Sequence, residues 1–379
     1  MPGLSPPKTP KILFFLPALV AGGAEIHAIV LCEKMIEAGF DCTIVAHGTN
    51  CSEALMDRDV ARRAIRLNLR GMSELGGWLE IWRLLRRIKP DLIVAINQTP
   101  FIISFIEKAM LGTRAALACI FHSTEMQPFE RYLEGPFRVC ARFADLLVYV
   151  SESQRKIWEG RGLTARRVRV IPNGVDLERF QPSERKRSEI RAELGLGEDV
   201  FLIGIVAAFR REKNHADLIR ALARARALGS RAKVLAVGEG ATQNEAKALA
   251  RDLGLTGQMI FHGVSADIDR LVNACDAGVL CSTAESFPLA AIEFLATGVP
   301  MLVSAISGNL ELVKPDFNGL VHRPGDIEQF AANIIAMEDP ATRARLARNA
   351  RLSVERFSTA SMAADYEQEF KKLCTRNHA

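Results

Sequence analysis

Short apolar runs rich in β-branched residues alternate with longer helical patterns along the whole chain, and no other feature of the sequence constrains the fold as tightly. Ile12 to Leu16, Cys42 to Ala46, Leu92 to Ile96, Ala116 to Phe121, Leu146 to Val150 and Val168 to Ile171 read as strands, with Glu25 to Ala38 and Trp78 to Ile88 among the helices between them. This order implies parallel sheets covered by helices. After a charged, Pro-containing stretch from Gln181 to Gly197 the pattern begins afresh, with strands at Phe201 to Ala207, Lys233 to Val237, Met259 to His262, Gly278 to Leu280 and Met301 to Val303.

The restart marks a domain boundary, and 379 residues are too many for one ordinary core but suit two. The expected architecture is α/β with two Rossmann-like domains, residues 1–180 and 181–359, and the final helical pattern, Ala360 to Leu373 within 360–379, packs back on the first. Gly or polar turns follow the strands (Gly22-Gly23, Gly48, Gly238-Glu239-Gly240, Gly263), where open parallel sheets place their ligand crevice. The two halves are therefore expected to face a shared cleft.

Apolar residues make up 49% and charged residues 25%, which fits a globular chain rather than a disordered one. A net charge of +5 gives no ground for a nucleic-acid partner. The denser basic segments are Arg83, Arg86, Arg87 and Lys89, then Arg185, Lys186, Arg187 and Arg191, then Arg343, Arg345, Arg348 and Arg351. All sit on helical patterns and read as solvated faces, with attraction to an anionic membrane surface as the alternative. The eight cysteines are scattered without CxxC pairs or metal-ligand spacing, and are expected to be reduced core residues of a cytosolic protein. Pro17 and the Gly pair interrupt the N-terminal apolar run, so neither a signal peptide nor a membrane span is expected, and the Pro-rich first ten residues are expected to be disordered.

The segment richest in chemistry runs from Cys281 to Pro300. Pro288 suits the first turn of a helix and Gly298 with Pro300 a stop, so a short helix is expected to begin just after Glu285 and to contain Glu293. Its N–H groups would form an anion site. On one helix the two carboxylates would lie about 12 Å apart, more than the roughly 5 to 9.5 Å of a glycosidase pair. A hydrolase is thereby disfavoured. Asp57-Arg58-Asp59 and Asp267-Ile268-Asp269 fit a DxD metal pattern, yet a helix cap or solvated face accounts for them better. The Gly238 to Gln243 turn lacks the third glycine of a dinucleotide fingerprint, which counts against a dehydrogenase.

The spacing of Glu285 and Glu293 resembles the Glu-x7-Glu motif of glycosyltransferase family 4, a family of the two-domain GT-B fold. Other motifs follow in family order: Gly22-Gly23-Ala24-Glu25, Ile171-Pro172-Asn173-Gly174-Val175-Asp176, Lys213-Asn214-His215, Val237-Gly238-Glu239-Gly240 and Phe261-His262-Gly263. The resemblance implies a retaining, metal-independent glycosyltransferase that uses a nucleotide-diphosphate sugar and needs no cofactor. Lys213 would neutralise the donor diphosphate, Glu285 would contact the transferred sugar, and Glu293 would accept from the ribose hydroxyls. Gly23, Arg210, Ser286, Phe287, Pro288 and Leu289 would complete the donor site, with His122 and Asn97 toward the acceptor. His122 is expected to bind a sugar hydroxyl rather than to act as a base, and Gln98 is a weaker candidate beside Asn97.

One position departs from the family pattern. Where an arginine usually precedes the lysine by five residues this chain has Ala208, leaving Arg210 or Arg211 to reach the phosphate from nearby. The resemblance leaves the acceptor as a glycan, a lipid carrier or a small molecule. The cysteine usage and the interrupted N-terminal run lead to the expectation of a cytoplasmic protein, with contact at the inner membrane face suiting a lipid-linked acceptor. A nucleotide-sugar epimerase of the same architecture and a degraded, binding-only protein are the alternatives.

Overall fold

The computed structural model describes residues 9–20, 22–67, 69, 75–126 and 128–376. The disorder expected of the Pro-rich start falls mainly on residues 1–8, outside the described ones, as do residues 377–379 of the final segment. The chain divides into two compact units, Met1–Pro172 with Ala360–Ala379, and Asn173–Thr359. The division lies ahead of the charged stretch because Asn173 to Phe180 bond within the second unit. There Val175 bridges Ser358, and Phe180 offers its carbonyl to Arg351.

In the first unit the elements run β1 (Lys11–Leu16), α1 (Gly23–Glu37), β2 (Asp41–Ala46), α2 (Asp59–Arg62), β3 (Ile65–Arg66), α3 (Leu75–Ile88), β4 (Leu92–Ile96), α4 (Gln98–Leu111), β5 (Ala116–Phe121), α5 (Glu134–Ala141), β6 (Leu146–Tyr149), α6 (Glu152–Gly160) and β7 (Val168–Val170). All seven strands are parallel in the order β3-β2-β1-β4-β5-β6-β7. β4 and β5 are buried along their whole length, which is why they read as continuous apolar runs rather than as alternation. β3 escapes the sequence because a two-residue edge strand carries no periodic pattern.

The second unit contains α7 (Glu184–Glu193), β8 (Leu202–Val206), α8 (His215–Ala227), β9 (Lys233–Val237), α9 (Gln243–Asp252), β10 (Met259–Gly263), α10 (Ile268–Asn273), β11 (Ala277–Leu280), α11 (Leu289–Ala296), β12 (Met301–Ser304), α12 (Ser307–Leu312), β13 (Gly319–His322), α13 (Ile327–Glu338) and α14 (Pro340–Ala350). Its strands are parallel in the order β10-β9-β8-β11-β12-β13. α15 (Thr359–Arg376) passes into the first unit, where Phe370 meets Phe14 at 6.4 Å and buried Glu369 takes Arg167 at 2.9 Å.

Each strand order reverses once, between β1 and β4 in the first unit and between β8 and β11 in the second. Loops at the carboxyl ends of the strands flanking such a reversal diverge and leave a crevice. In the second unit a pair of glycines also sets the depth of a helix. Gly204 and Gly278 are register partners on β8 and β11, and a Cβ on either would stand 2.7 or 2.6 Å from the Phe294 ring. α11 can therefore sink onto the sheet at the reversal.

Two readings of charge are corrected by the structure. Arg191 is buried, 1% exposed, donating to the carbonyls of Ala274 and Gly197, while Lys186 pairs with Asp269 and Arg187 with Asp276. Arg351 likewise serves the carbonyls of Leu177, Phe180 and Ala296. A guanidinium fork bridging carbonyls left over at chain ends is structural, not a solvated face. Asp269 of the second DxD is neither cap nor solvated, since Arg179 holds it at 2.8 Å and these cations keep its carboxyl below the ordinary range despite burial. Of the cysteines, Cys51 is exposed and Cys42 and Cys140 half-buried, so the core reading fits the other five.

Candidate active site

The reversal in the second unit gathers most of the residues singled out from the sequence. After β8 the chain passes Ala207 to Arg210 into a tight turn at Arg211–Lys213, and Asn214 follows in a left-handed conformation at φ 51° before α8 starts. Asn tolerates that conformation better than most residues, and its side chain donates to Asp217 at 2.6 Å. The turn sends Lys213 toward the loop after β11. There Lys213 Nζ donates to Glu285 Oε1 at 2.6 Å, and Ser282 Oγ donates to the same oxygen at 2.7 Å. Thr283 N–H binds the Glu212 carbonyl at 2.8 Å, so two loops from adjacent strands are stitched together.

The expected course of the next segment is corrected. The helix does not begin after Glu285: residues 286–288 are non-helical, Pro288 caps the helix with ψ 119°, and α11 starts at Leu289. The residue before a proline is pushed away from helical geometry, and the Phe287 carbonyl is instead taken by Asn173 Nδ2 at 2.8 Å. Glu285 therefore stands outside the helix and Glu293 within it, and a spacing computed along one helix axis does not apply. The first N–H groups of α11, starting at Leu289, have no partner within the helix.

Glu293 is half-buried, and burial pushes its carboxyl up to about 7, against the attraction of Arg179. Arg210 and Arg211 are exposed, with Arg210 reaching Glu212 at 4.0 Å. His215 stacks on Phe209 with ring centres 4.0 Å apart, so the histidine of the Lys213-Asn214-His215 motif is a buried packing residue.

In the first unit Gly23 begins α1 with open space where a Cβ would lie. Asn97 follows β4 with φ 65° and ψ −175°, a conformation that costs most residues other than glycine on the order of 1–3 kcal/mol. Its Oδ1 accepts from the His122 backbone N–H at 2.8 Å, tying the ends of β4 and β5 together. Gln98 is buried at the start of α4. The His122 ring lies 4.7 Å from that of His27, which in turn lies 5.6 Å from Tyr366 of α15. Burial lowers the His122 pKa to about 3, so its imidazole is neutral at any working pH. The loop is braced by Gln154 and Trp158 of α6, which donate to the carbonyls of Phe121 and Ser123.

Four residues that shape the site were not recognised from the sequence as shaping it: Ser282, Asn173, Ser304 and Gly308. Ser304 Oγ binds the Ser282 carbonyl at 2.5 Å, and a Cβ on Gly308 would stand 2.1 Å from the Glu285 carbonyl oxygen. The signal for Gly308 was a glycine in the first turn of the helix that follows a strand, here α12 after β12, which is specific only once its neighbour is known.

The arrangement can be set beside known proteins. Residues 21–179 match Glycosyltransferase Family 4 and residues 186–353 match Glycosyl transferases group 1. An Escherichia coli UDP-Gal:alpha-D-GlcNAc-diphosphoundecaprenol alpha-1,3-galactosyltransferase is 25% identical over 75% of this chain and 76% of its own. A D-inositol 3-phosphate glycosyltransferase of Actinosynnema mirum is 34% identical over 53% of this chain and 52% of its own, and Bacillus subtilis EpsF, a putative glycosyltransferase, matches over 36% of each. Among solved structures, Anabaena HepE in complex with UDP-glucose superposes with a TM-score of 0.83 at 23% identity, over 96% of this chain and 99% of that one. The sucrose-phosphate synthase of Thermosynechococcus elongatus does so at 0.80 and 22%, over 97% and 100%. This chain belongs to the group 1 glycosyl transferases, glycosyltransferase family 4, and has the GT-B fold.

Proposed function

We propose that the chain transfers a hexosyl group from a UDP-linked sugar to a hydroxyl of a glycan, lipid carrier or small-molecule acceptor, with retention at the anomeric carbon and without a metal ion. The observation that carries this reading is the convergence of Lys213, Glu285 and the start of α11 at the strand-order reversal of the second unit. A lysine ammonium has three donors, so one spent on Glu285 leaves two for a diphosphate. Backbone N–H groups of Ser286, Phe287 and Leu289 and the positive end of α11 would supply the remaining neutralisation, work that a divalent ion performs elsewhere. Glu293 would take the ribose hydroxyls and Glu285 a hydroxyl of the sugar, with Gly23 and Arg210 completing the donor contacts.

In the proposed step the bond from the anomeric carbon to the leaving diphosphate breaks as the acceptor oxygen bonds to the same face. The acceptor proton passes to the departing phosphate oxygen. Lys213 stabilises the charge that develops there, a contribution made in the transition state. A neutral imidazole that protonates only near pH 3 is a weak base, which supports His122 as a hydrogen-bonding partner of a sugar hydroxyl. The strained Asn97 beside it supports an acceptor role for the same loop end. The UDP donor follows the E. coli relative's printed activity and the HepE complex. A lipid-linked acceptor would bring the chain to an anionic membrane face.

Thermal shift with UDP-, GDP- and ADP-sugars in EDTA tests the donor site. Stabilisation by UDP-sugars, lost in Lys213→Ala and Glu293→Ala, is the expected result, and no stabilisation with or without metal would overturn it. The product anomer, read by NMR, tests retention. Ala208 favours one second reading, a binding-only protein, which would show tight donor binding with neither transfer nor donor hydrolysis.

A further inference from the structure

Where β5 delivers His122, the first unit buries two more polar side chains that the proposed chemistry does not use. His27 of α1 is 2% exposed and Tyr366 of α15 is fully buried. Among the described residues neither nitrogen of His27 has a hydrogen-bond partner, nor has the Tyr366 hydroxyl. A buried donor or acceptor left unmade is costly, and in folded proteins such groups are nearly always paired. Leucine and phenylalanine would fill the same space without that cost. The two residues stand in one row with His122: the His27 and His122 rings meet edge to face with centres 4.7 Å apart, and the His27 and Tyr366 rings likewise at 5.6 Å. His122 itself is half-buried, and Nε2 is its enclosed nitrogen. Its backbone N–H is held by Asn97 Oδ1 at 2.8 Å, so the ring can turn but the residue is anchored. Burial above all, with His122 beside it, holds the His27 pKa well below the ordinary value, so both imidazoles are neutral at working pH.

A neutral imidazole has one N–H and one lone pair, and which nitrogen keeps the proton is set by the hydrogen bond that the other makes. We propose that Tyr366 and His27 are positioning residues that set the tautomer of His122. The Tyr366 hydroxyl donates to one nitrogen of His27, the other nitrogen of His27 donates its N–H to His122 Nε2, and His122 keeps its own proton on Nδ1. No proton changes hands, and His27 and Tyr366 gain the partners they need. The last side-chain torsion of histidine and tyrosine is soft, so modest turns of the rings close both bonds at these spacings. His122 then offers an N–H to a sugar oxygen, where the opposite tautomer would offer a lone pair. The inference rests on the reading of His122 as a partner of a sugar hydroxyl, and through Tyr366 it gives α15 a part in the site of the first unit.

The test is proton–nitrogen correlation NMR of the full chain carrying isotope-labelled histidine, at neutral pH, with the His122 signals assigned by their loss in His122→Asn. Wild type is expected to show a protonated Nδ1 and a bare Nε2. His27→Leu removes the donor to Nε2 and should exchange the two patterns, since a free imidazole prefers its proton on Nε2. Tyr366→Phe, smaller by one oxygen and unlikely to disturb the fold, should give a mixture of both tautomers. His27→Gln should keep the wild-type pattern, because its amide can accept from Tyr366 and donate to His122. A protonated Nε2 in wild type would overturn the proposal, as would an unchanged His122 pattern in both His27→Leu and Tyr366→Phe. Equal shifts in His27→Leu and His27→Gln would also overturn it, by assigning the effect to ring packing rather than to hydrogen bonds. Thermal shift by UDP-glucose on wild type separates the two readings: its absence would sink the donor site proposed above and leave the tautomer result standing.

Discussion

Three glutamates show how differently one side chain can be used. Glu285 is satisfied by Lys213 and Ser282. Glu107 on α4 is fully enclosed and neither oxygen has a hydrogen-bond partner, so burial pushes its carboxyl up to about 7. The native state keeps this proton between about pH 4.5 and 7 while the unfolded chain releases it. Stability from Glu107 is thus present at low pH and lost as pH rises through that window. Glu107→Met should therefore raise Tm at pH 8, by on the order of 2–3 kcal/mol of stability, and by much less at pH 5. Equal gains at both pH values would show that the native carboxyl is not held protonated. Glu293 has the same sign and about the same pKa, with a different purpose. Glu293→Gln is expected to raise Tm at pH 8 while losing stabilisation by donor, a trade of stability for function that Glu107 does not make. Paired melts with and without UDP-sugar separate the two carboxylates.

At the scale of elements the site depends on how deeply α11 sits, and the two facing glycines allow that depth. Gly278→Ala should force the Phe294 ring away, costing about 1–3 kcal/mol and weakening donor binding by shifting the start of α11. Phe294→Leu in the same chain should recover part of both losses, because it replaces the rigid ring by a smaller, flexible side chain whose Cγ can yield, as can Met301 Sδ, which would stand 2.5 Å from the new Cβ. Failure of that rescue, with donor affinity unchanged by the alanine, would mean that the helix depth is set elsewhere. Long buried strands such as β4 and β5 were legible because burial on both faces writes itself as an apolar run, and Lys213, Glu285 and Glu293 stood out through their motif order. β13, from Gly319 to His322, was missed because two of its four residues are glycine and histidine, which carry no strand signal. The Gly204 and Gly278 pairing was illegible for another reason. Register joins residues that are 74 positions apart, and no local pattern reports it. Pro288 was legible as a helix start, yet whether it falls inside the first turn or caps it depends on what takes the Phe287 carbonyl, and that partner lies in Asn173.

Over the whole molecule, histidine burial sets a common response to acid. His27, His47 and His122 in the first unit and His215 and His322 in the second all have pKa values lowered chiefly by burial, to about 4 for His47, His215 and His322. His322 stacks on Phe330 at 3.8 Å as His215 does on Phe209, an arrangement that suits a neutral ring and leaves a cation poorly solvated. For a base whose native pKa is lowered, the unfolded chain binds the proton first. Stability is therefore complete above about pH 6.5 and falls as pH drops toward 4, each group contributing up to about 1.4 kcal/mol per pH unit. Glu107 and Glu293 act in the opposite sense over much of the same window, two groups against five, so the net effect is loss. Tm of both units is expected to fall steeply from pH 6.5 to 4.5, ahead of general carboxylate protonation. His322→Phe should flatten the decline of the second unit alone, since the ring contact with Phe330 survives while the proton-binding site disappears. Calorimetric scans across this range read the two units separately if they unfold separately. A Tm that stays level from pH 7 to 5 would mean these histidines take up protons without unfolding, and would overturn the assignment of acid sensitivity to their burial.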